Sequence, residues 1–423
     1  MSELLITNLS EIATPIGNEA LTGVDQGKVR RLSGVEVLCR SGEIACVGTR
    51  DEIERQMGSL EAVERLDADG GTLVPGFVDP HTHLPWAGSR EAEFAQRLAG
   101  RTYMEIAAEG GGILSTVRAT REASEPDLAE RVLDRLDLML THGTTTAEAK
   151  SGYGLTLDDE LKQLRAIRHA SEEHPVDLVP TLLAAHETPP EYRQQRDRYL
   201  DIVCQEIIPA TSEAGLARFC DVFCEEGVFT AEESRRVLTA GAENGLAPRL
   251  HADEFVDSGG AELAAELKAL SADHLTAVSP AGVEAMAATG VTAVLLPGTS
   301  FFLMKHKYAP ARRLLEAGVP IALATDCNPG SSFTESVPMV FVLAVYELGL
   351  SIEEALTAAT LNAACCLDLG ERIGSIEVGK QADLVVLAAP NLLHLAYHYG
   401  INLVSAVVKS GKLVHQASNY KHL

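Results

Sequence analysis

The feature that most constrains the fold is an alternation of short apolar runs, each closing on polar residues, with helix-like stretches. The runs end at His81-Thr82-His83, Glu148-Ala149-Lys150, Ala184-Ala185-His186, Val222-Phe223-Cys224, Leu250-His251, Asp273-His274, Leu295-Leu296 and Thr325-Asp326. Between them lie helix-like segments such as Asp127 to Thr141, Asp158 to Glu173, Ala231 to Asn244 and Pro280 to Thr289. Eight strands alternating with helices, with no Gly-x-Gly-x-x-Gly after the first, favour a (β/α)8 TIM-type barrel over a doubly wound sheet. Such barrels build their sites at the carboxyl ends of the strands, where the polar residues fall here.

The chain ends read differently. Val35 to Cys39 and Glu43 to Gly48 are short strands around the turn Arg40-Ser41-Gly42, and 373–387 and 407–414 are turn-rich and β-like. The simplest assembly pairs both ends into one small β-sandwich domain. The expected organisation is 1–68 and 371–423 for that domain and 69–370 for the barrel. Ser351 and Glu354 have capping-box spacing at a helix start.

With 423 residues at 46% hydrophobic, the chain can bury a large core. Its 35 basic against 60 acidic side chains, a formal charge of −25, argue against nucleic acid or an anionic membrane as partner. No apolar segment approaches the roughly 20 residues that span a bilayer. The N-terminus lacks the pattern of a signal peptide, so a cytoplasmic location is expected. The eight cysteines have no framework spacing; Cys220 and Cys224 could pair on a metal, but buried free thiols are the better reading.

The apolar run 72–78 leads into Asp79-Pro80-His81-Thr82-His83. Side chains two apart on a strand leave on the same side, so His81 and His83 form half of a metal site. His251 closes a later strand and supplies a third imidazole. Asp326 closes the last, and a carboxylate there is costly to bury without a partner cation. His81, His83, His251 and Asp326 suit one zinc or iron ion per chain.

These residues, with His274 and the tail Gly379-Lys380-Gln381-Ala382-Asp383-Leu384, resemble the amidohydrolase superfamily. Within it the chain is similar to the imidazolonepropionase family. That similarity runs through Leu84-Pro85-Trp86-Ala87-Gly88-Ser89-Arg90, Lys150-Ser151-Gly152-Tyr153-Gly154, Ala185-His186-Glu187, His251-Ala252-Asp253-Glu254-Phe255 and Asp326-Cys327-Asn328-Pro329-Gly330-Ser331. The resemblance implies metal-dependent hydrolysis of a cyclic amide in histidine degradation, 4-imidazolone-5-propanoate giving N-formimidoyl-L-glutamate. It implies Glu254, His274 and Asp326 as the catalytic groups, with proton transfer divided among them in a way the sequence leaves open. Arg90 would hold the propionate of a small anionic heterocycle; read alone, it would be an ordinary surface charge. Tyr103, Tyr153, His186, Glu254, Asn328, Gly330 and Ser331 would line the substrate pocket, and a homodimer is implied. The long segment after the first strand could form a lid.

Two-metal relatives bridge their ions with a modified lysine on the fourth strand; 219–226 offers none, and Lys150 ends the second strand. One ion is therefore expected. Two other readings stay open: another mononuclear amidohydrolase, such as a heterocycle deaminase, which would not need a carboxylate clamp, and a non-catalytic scaffold, which would be expected to have lost ligands.

Overall fold

Gly76 divides the apolar run 72–79 into two strands that serve different sheets. Thr72–Pro75 pairs with Leu384–Leu387 and Glu11–Thr14, whereas Phe77–Asp79 pairs with Thr144–Lys150. The continuous first strand expected from hydrophobicity is thus divided at Gly76, where there is no room for a side chain. A Cβ at residue 76 would lie 2.2 Å from Thr145 Oγ1, and the Gly76 N–H donates to Asp383 O at 2.8 Å. The computed structural model describes residues 3–101, 105 and 111–417.

From Phe77 onward eight strands lie parallel in chain order: Phe77–Asp79, Thr144–Lys150, Asp177–Ala185, Phe219–Cys224, Leu250–Ala252, Ser271–His274, Thr292–Leu295 and Ile321–Leu323. Just past the strand ends, Asp326 N donates to His81 O and His83 N to Cys327 O, each at 3.0 Å, so the last strand is drawn to the first. The result is a nearly closed (β/α)8 barrel, as the alternation predicts. Helices Glu125–Thr141, Leu157–Glu173, Ala231–Glu243 and Pro280–Thr289 cover it. Each starts at a side-chain cap, Ser124, Thr156, Thr230 or Ser279, which is why their beginnings are legible in the sequence. Ser351 and Glu354 do form the expected box, on helix Ile352–Ala359.

The segment after the first strand contains helices Glu91–Leu98 and Ile113–Glu122. Neither has a side-chain cap, so sequence signals missed both.

The chain ends form the small domain. Its two sheets run Glu43–Gly48, Glu36–Arg40, Glu3–Thr7, Glu64–Asp67 and Lys412–Gln416, Val404–Lys409, Leu384–Leu387, Thr72–Pro75, Glu11–Thr14, Arg30–Leu32. Leu4, Ile6, Val37 and Leu66 of one sheet pack on Ile12, Leu73, Leu384 and Val408 of the other, a β-sandwich core. Lys409 ties the domain to the barrel, donating to Asp383 at 2.7 Å and to Asp177 at 2.8 Å.

Candidate active site

His81 and His83, just past the strand Phe77–Asp79, and His251, on the strand Leu250–Ala252, are all at most 2% exposed. Their ligand-capable nitrogens lie within 4.8 Å of one another, and those of His81 and His274 lie within the same span of an Asp326 oxygen. Asp326 Oδ1 is 3.5 Å from Nε2 of both His81 and His83, and His251 Nε2 is 3.4 Å from His83 Nε2. The four expected ligands therefore converge, and His274 adds a further nitrogen beside them.

Two of these residues need unusual backbone. His274 has φ +76° and Asp326 φ +54°, in the left-handed region that side chains rarely occupy. At His274 this breaks strand alternation, so that Asp273 and His274, adjacent in sequence, both reach the cluster. His81 Nδ1 lies 2.6 Å from Asp273 Oδ2, and the His274 ring lies 5.5 Å from that of His81. Strain held at a strand end where polar groups converge is characteristic of functional sites.

Behind the histidines lies a charged layer that sequence reasoning passed over. Glu148, Lys150, Asp221, Arg249 and Asp273 are all 0% exposed. Lys150 Nζ donates to Asp221 at 2.7 Å and Glu148 at 2.8 Å. Arg249 reaches Glu148 at 3.3 Å and Asp273 at 3.4 Å, and also donates to the carbonyls of Pro80 and Cys366. Asp221 meets His251 Nδ1 at 3.1 Å. Asp221 and Asp273 thus engage the Nδ1 atoms and leave Nε2 of both histidines facing the cluster. Asp221 interrupts the apolar strand Phe219–Cys224, a signal that could have found it; the others stand among polar residues or strand ends and carry no such mark. A carbamate at Lys150 would set an anion against two carboxylates, an arrangement that does not suit a metal bridge there.

The cluster fits a divalent cation. Among the described residues, nothing hydrogen-bonds the buried His81 Nε2. Burial holds His81 and His83 well below the usual histidine range, with nearby cationic groups adding to it, so both are neutral donors. The buried carboxylates Glu148, Asp221, Asp273 and Asp326 outnumber the buried cations Lys150 and Arg249, and against the pull of burial Asp221 raises His251 above its ordinary value, so the site favours added positive charge. Nitrogen and oxygen donors around such a site suit a dication.

Around the cluster, Glu254 sits with Oε2 3.8 Å from His274 Nε2 and Oε1 3.4 Å from Lys305 Nζ, a lysine the sequence did not single out. Burial pushes the Glu254 carboxyl up to about 7, and burial brings His274 down to about 3. His186 stacks on His83 with centroids 5.1 Å apart, its Nδ1 3.0 Å from Gly152 O, and Tyr153 lies 5.4 Å from His186. Arg90 pairs with Glu93 at 2.9 Å and lies across Gly330, where a Cβ would meet its Nη1 at 1.9 Å. That close approach is what residue 330 needs glycine for.

Asn328 is engaged inside its own loop. Its Oδ1 accepts from Gly330 N and Ser331 N at 2.8 Å, and its Nδ2 donates to Asp326 O at 2.7 Å. Ser331 Oγ donates to Asp326 Oδ2 at 3.2 Å, as does Thr299 Oγ1 at 2.7 Å. Loop 326–331 therefore links Arg90 to Asp326. Tyr103 lies outside the described residues. Cys220 and Cys224 are free and buried, and burial pushes both thiols up, Cys224 to about 11. No described helix is long and apolar enough to cross a membrane.

The arrangement can be set beside known proteins. The amidohydrolase family model matches residues 72–414. The imidazolonepropionase of Geobacillus sp. (strain WCH70) is 50% identical over 418 residues, covering 98% of each chain. That of Symbiobacterium thermophilum is 49% identical over 413 residues, 97% of each. Among solved structures, 5-methylcytosine deaminase from Klebsiella pneumoniae matches 98% of each chain with a TM-score of 0.74 at 18% identity, a likeness of fold.

Proposed function

The chain belongs to the amidohydrolase family, in its imidazolonepropionase branch, and from that premise we propose that it opens the ring of 4-imidazolone-5-propanoate with water, giving N-formimidoyl-L-glutamate in histidine degradation. The observation that carries this reading is the chain of contacts from Arg90 through Gly330 and Ser331 to Asp326, which sets a guanidinium beside the His–Asp cluster of an acidic protein.

His81, His83, His251 and Asp326 would hold one zinc or iron ion. Such an ion, when bound, acts as a Lewis acid and brings the pKa of water it binds to about 7. The rest falls to the chain's own groups. Arg90 binds the propionate carboxylate, for which a planar guanidinium is suited, and the charge of Glu93 keeps it oriented toward loop 326–331. Tyr153 and His186 close the apolar side of the ring pocket. Glu254 takes the proton from attacking water as a new C–O bond forms at the ring carbonyl. His274, neutral through burial, supports the carbonyl oxygen as charge develops there. The amide C–N bond then breaks, and the proton held by Glu254, relayed through His274 3.8 Å away, goes to the departing nitrogen. Asp326 shares the oxygen-facing side, steadied by Thr299 and Ser331. Asn328 serves by shaping the loop, and Gly330 by admitting Arg90. A small anionic heterocycle is the expected partner, and a homodimer the expected assembly.

The test is to add the protein to freshly prepared 4-imidazolone-5-propanoate and follow the imidazolone ultraviolet band. Loss of the band with formimidoylglutamate as product supports the reading. A metal-loaded protein that leaves this substrate untouched but deaminates a neutral heterocycle contradicts it.

A further inference from the structure

The buried charges behind the cluster form a circuit. Lys150 joins Asp221 to Glu148, Glu148 joins Lys150 to Arg249, and Arg249 joins Asp273 and the backbone carbonyls of Pro80 and Cys366. Its two outer members each meet one histidine: Asp221 reaches His251 Nδ1, and Asp273, further fixed by Ser271 Oγ at 2.6 Å, reaches His81 Nδ1. Glu148 and Lys150 lie on the second barrel strand, Asp221 on the fourth, Arg249 just before the fifth and Asp273 on the sixth, so the circuit spans half the barrel.

A buried carboxylate with no counter-charge is strongly destabilising, and a site built only from acids and histidines would need its metal in order to fold. Here every acid of the layer touches a cation belonging to the chain. We propose that Lys150 and Arg249 are positioning residues: internal counter-ions that let the barrel close without metal, with His81 and His251 already turned to present Nε2. Metal then meets a preassembled frame, and the barrel folds without it, binding adding stability only by mass action. The inference rests on the metal-site reading, not on the substrate.

The experiment uses chelator-stripped full-length protein, thermal unfolding with and without Zn²⁺, and Zn²⁺ affinity by competition with a chromophoric chelator. Wild type should melt cooperatively when stripped. Lys150→Met should lower the melting temperature of the stripped protein by about 5 °C or more, with a smaller loss when Zn²⁺ is present. Its Zn²⁺ affinity should fall about 10- to 100-fold, as His251 loses the anchored Asp221. Lys150→Met/Glu148→Gln, which removes one charge of each sign, should recover most of the lost stability. A Lys150→Met protein with unchanged stripped stability and affinity would overturn the proposal, and so would a double variant no better than the sum of the single ones. Should Lys150→Met yield no folded protein, the double variant decides: recovery supports the counter-ion role, and continued loss contradicts it. Wild type that binds no Zn²⁺ sinks the metal reading itself, whereas bound Zn²⁺ with an additive cycle removes only the circuit.

Discussion

Between the sheets of the small domain the packed side chains are aliphatic, among them Leu4, Ile6, Ile12, Val37, Leu73, Leu384 and Val408. At the catalytic end of the barrel, Glu148, Lys150, Asp221, Arg249 and Asp273 are just as buried, and all carry charge. The aliphatic interior gains from every methylene it removes from water, about 25 cal/mol per Å² of apolar area. The charged one gains little net stability, because desolvation offsets much of the attraction within each pair. What the charged interior provides is direction: each ring nitrogen it engages fixes which nitrogen is left for the cluster. The barrel can carry this layer because its strands also pack outward against helices, as Leu136, Leu164, Leu182 and Leu250 do in the main core.

The contrast can be broken at either end. The largest effect should come from Glu254→Gln, which keeps the shape of a residue 3.8 Å from His274 and removes its basicity. Turnover should fall about 10²- to 10⁴-fold with metal content and melting temperature retained; a fully active variant passes the base role to Asp326 or His274. Leu384→Ala should do the opposite, destabilising the fold by about 2–5 kcal/mol in denaturant unfolding while turnover per folded molecule is kept. Metal loss in step with that destabilisation would show that the two interiors are not separable. Arg90→Ala should raise KM by about 10- to 100-fold, the loss of a charged hydrogen bond worth about 1.5–3 kcal/mol, with little change in melting. If the variant loses metal instead, Arg90 supports loop 326–331 rather than substrate. Smallest is Ser351→Ala, which removes a capping box on the outer helix and should cost about 1 kcal/mol without touching kinetics. A kinetic change there would mean that the helix shell reports directly to the site.

The barrel was legible because two local signals repeat along the chain: apolar runs with polar ends, and capped helices such as Glu125–Thr141. The candidate ligands carry the same signal, since His81, His83, His251 and Asp326 fall at or just past strand ends. The residues behind them do not. Asp221 looks like a defect in an apolar strand, and Asp273 like a polar strand end, until the fold brings His251 and His81 against them, and those contacts cross 30 and 192 residues. Lys305 lay hidden for a related reason: it sits in a loop 51 residues beyond Glu254, with nothing local to mark it. Gly76 shows the limit of hydrophobicity as a guide, since the apolar run passes there from one sheet to another, with no room for a Cβ beside Thr145. Uncapped helices such as Glu91–Leu98 carry no start signal, and Arg90, which precedes that helix, is tied to the site only through Gly330.

The most direct test of a single metal centre at this barrel end is a titration of stripped protein with Zn²⁺ or Fe²⁺, reading hydrolysis of 4-imidazolone-5-propanoate at each addition. Activity should rise from near zero in proportion to added metal and level off at one equivalent per chain. Full activity without metal, or a plateau reached only at two equivalents, would contradict the account.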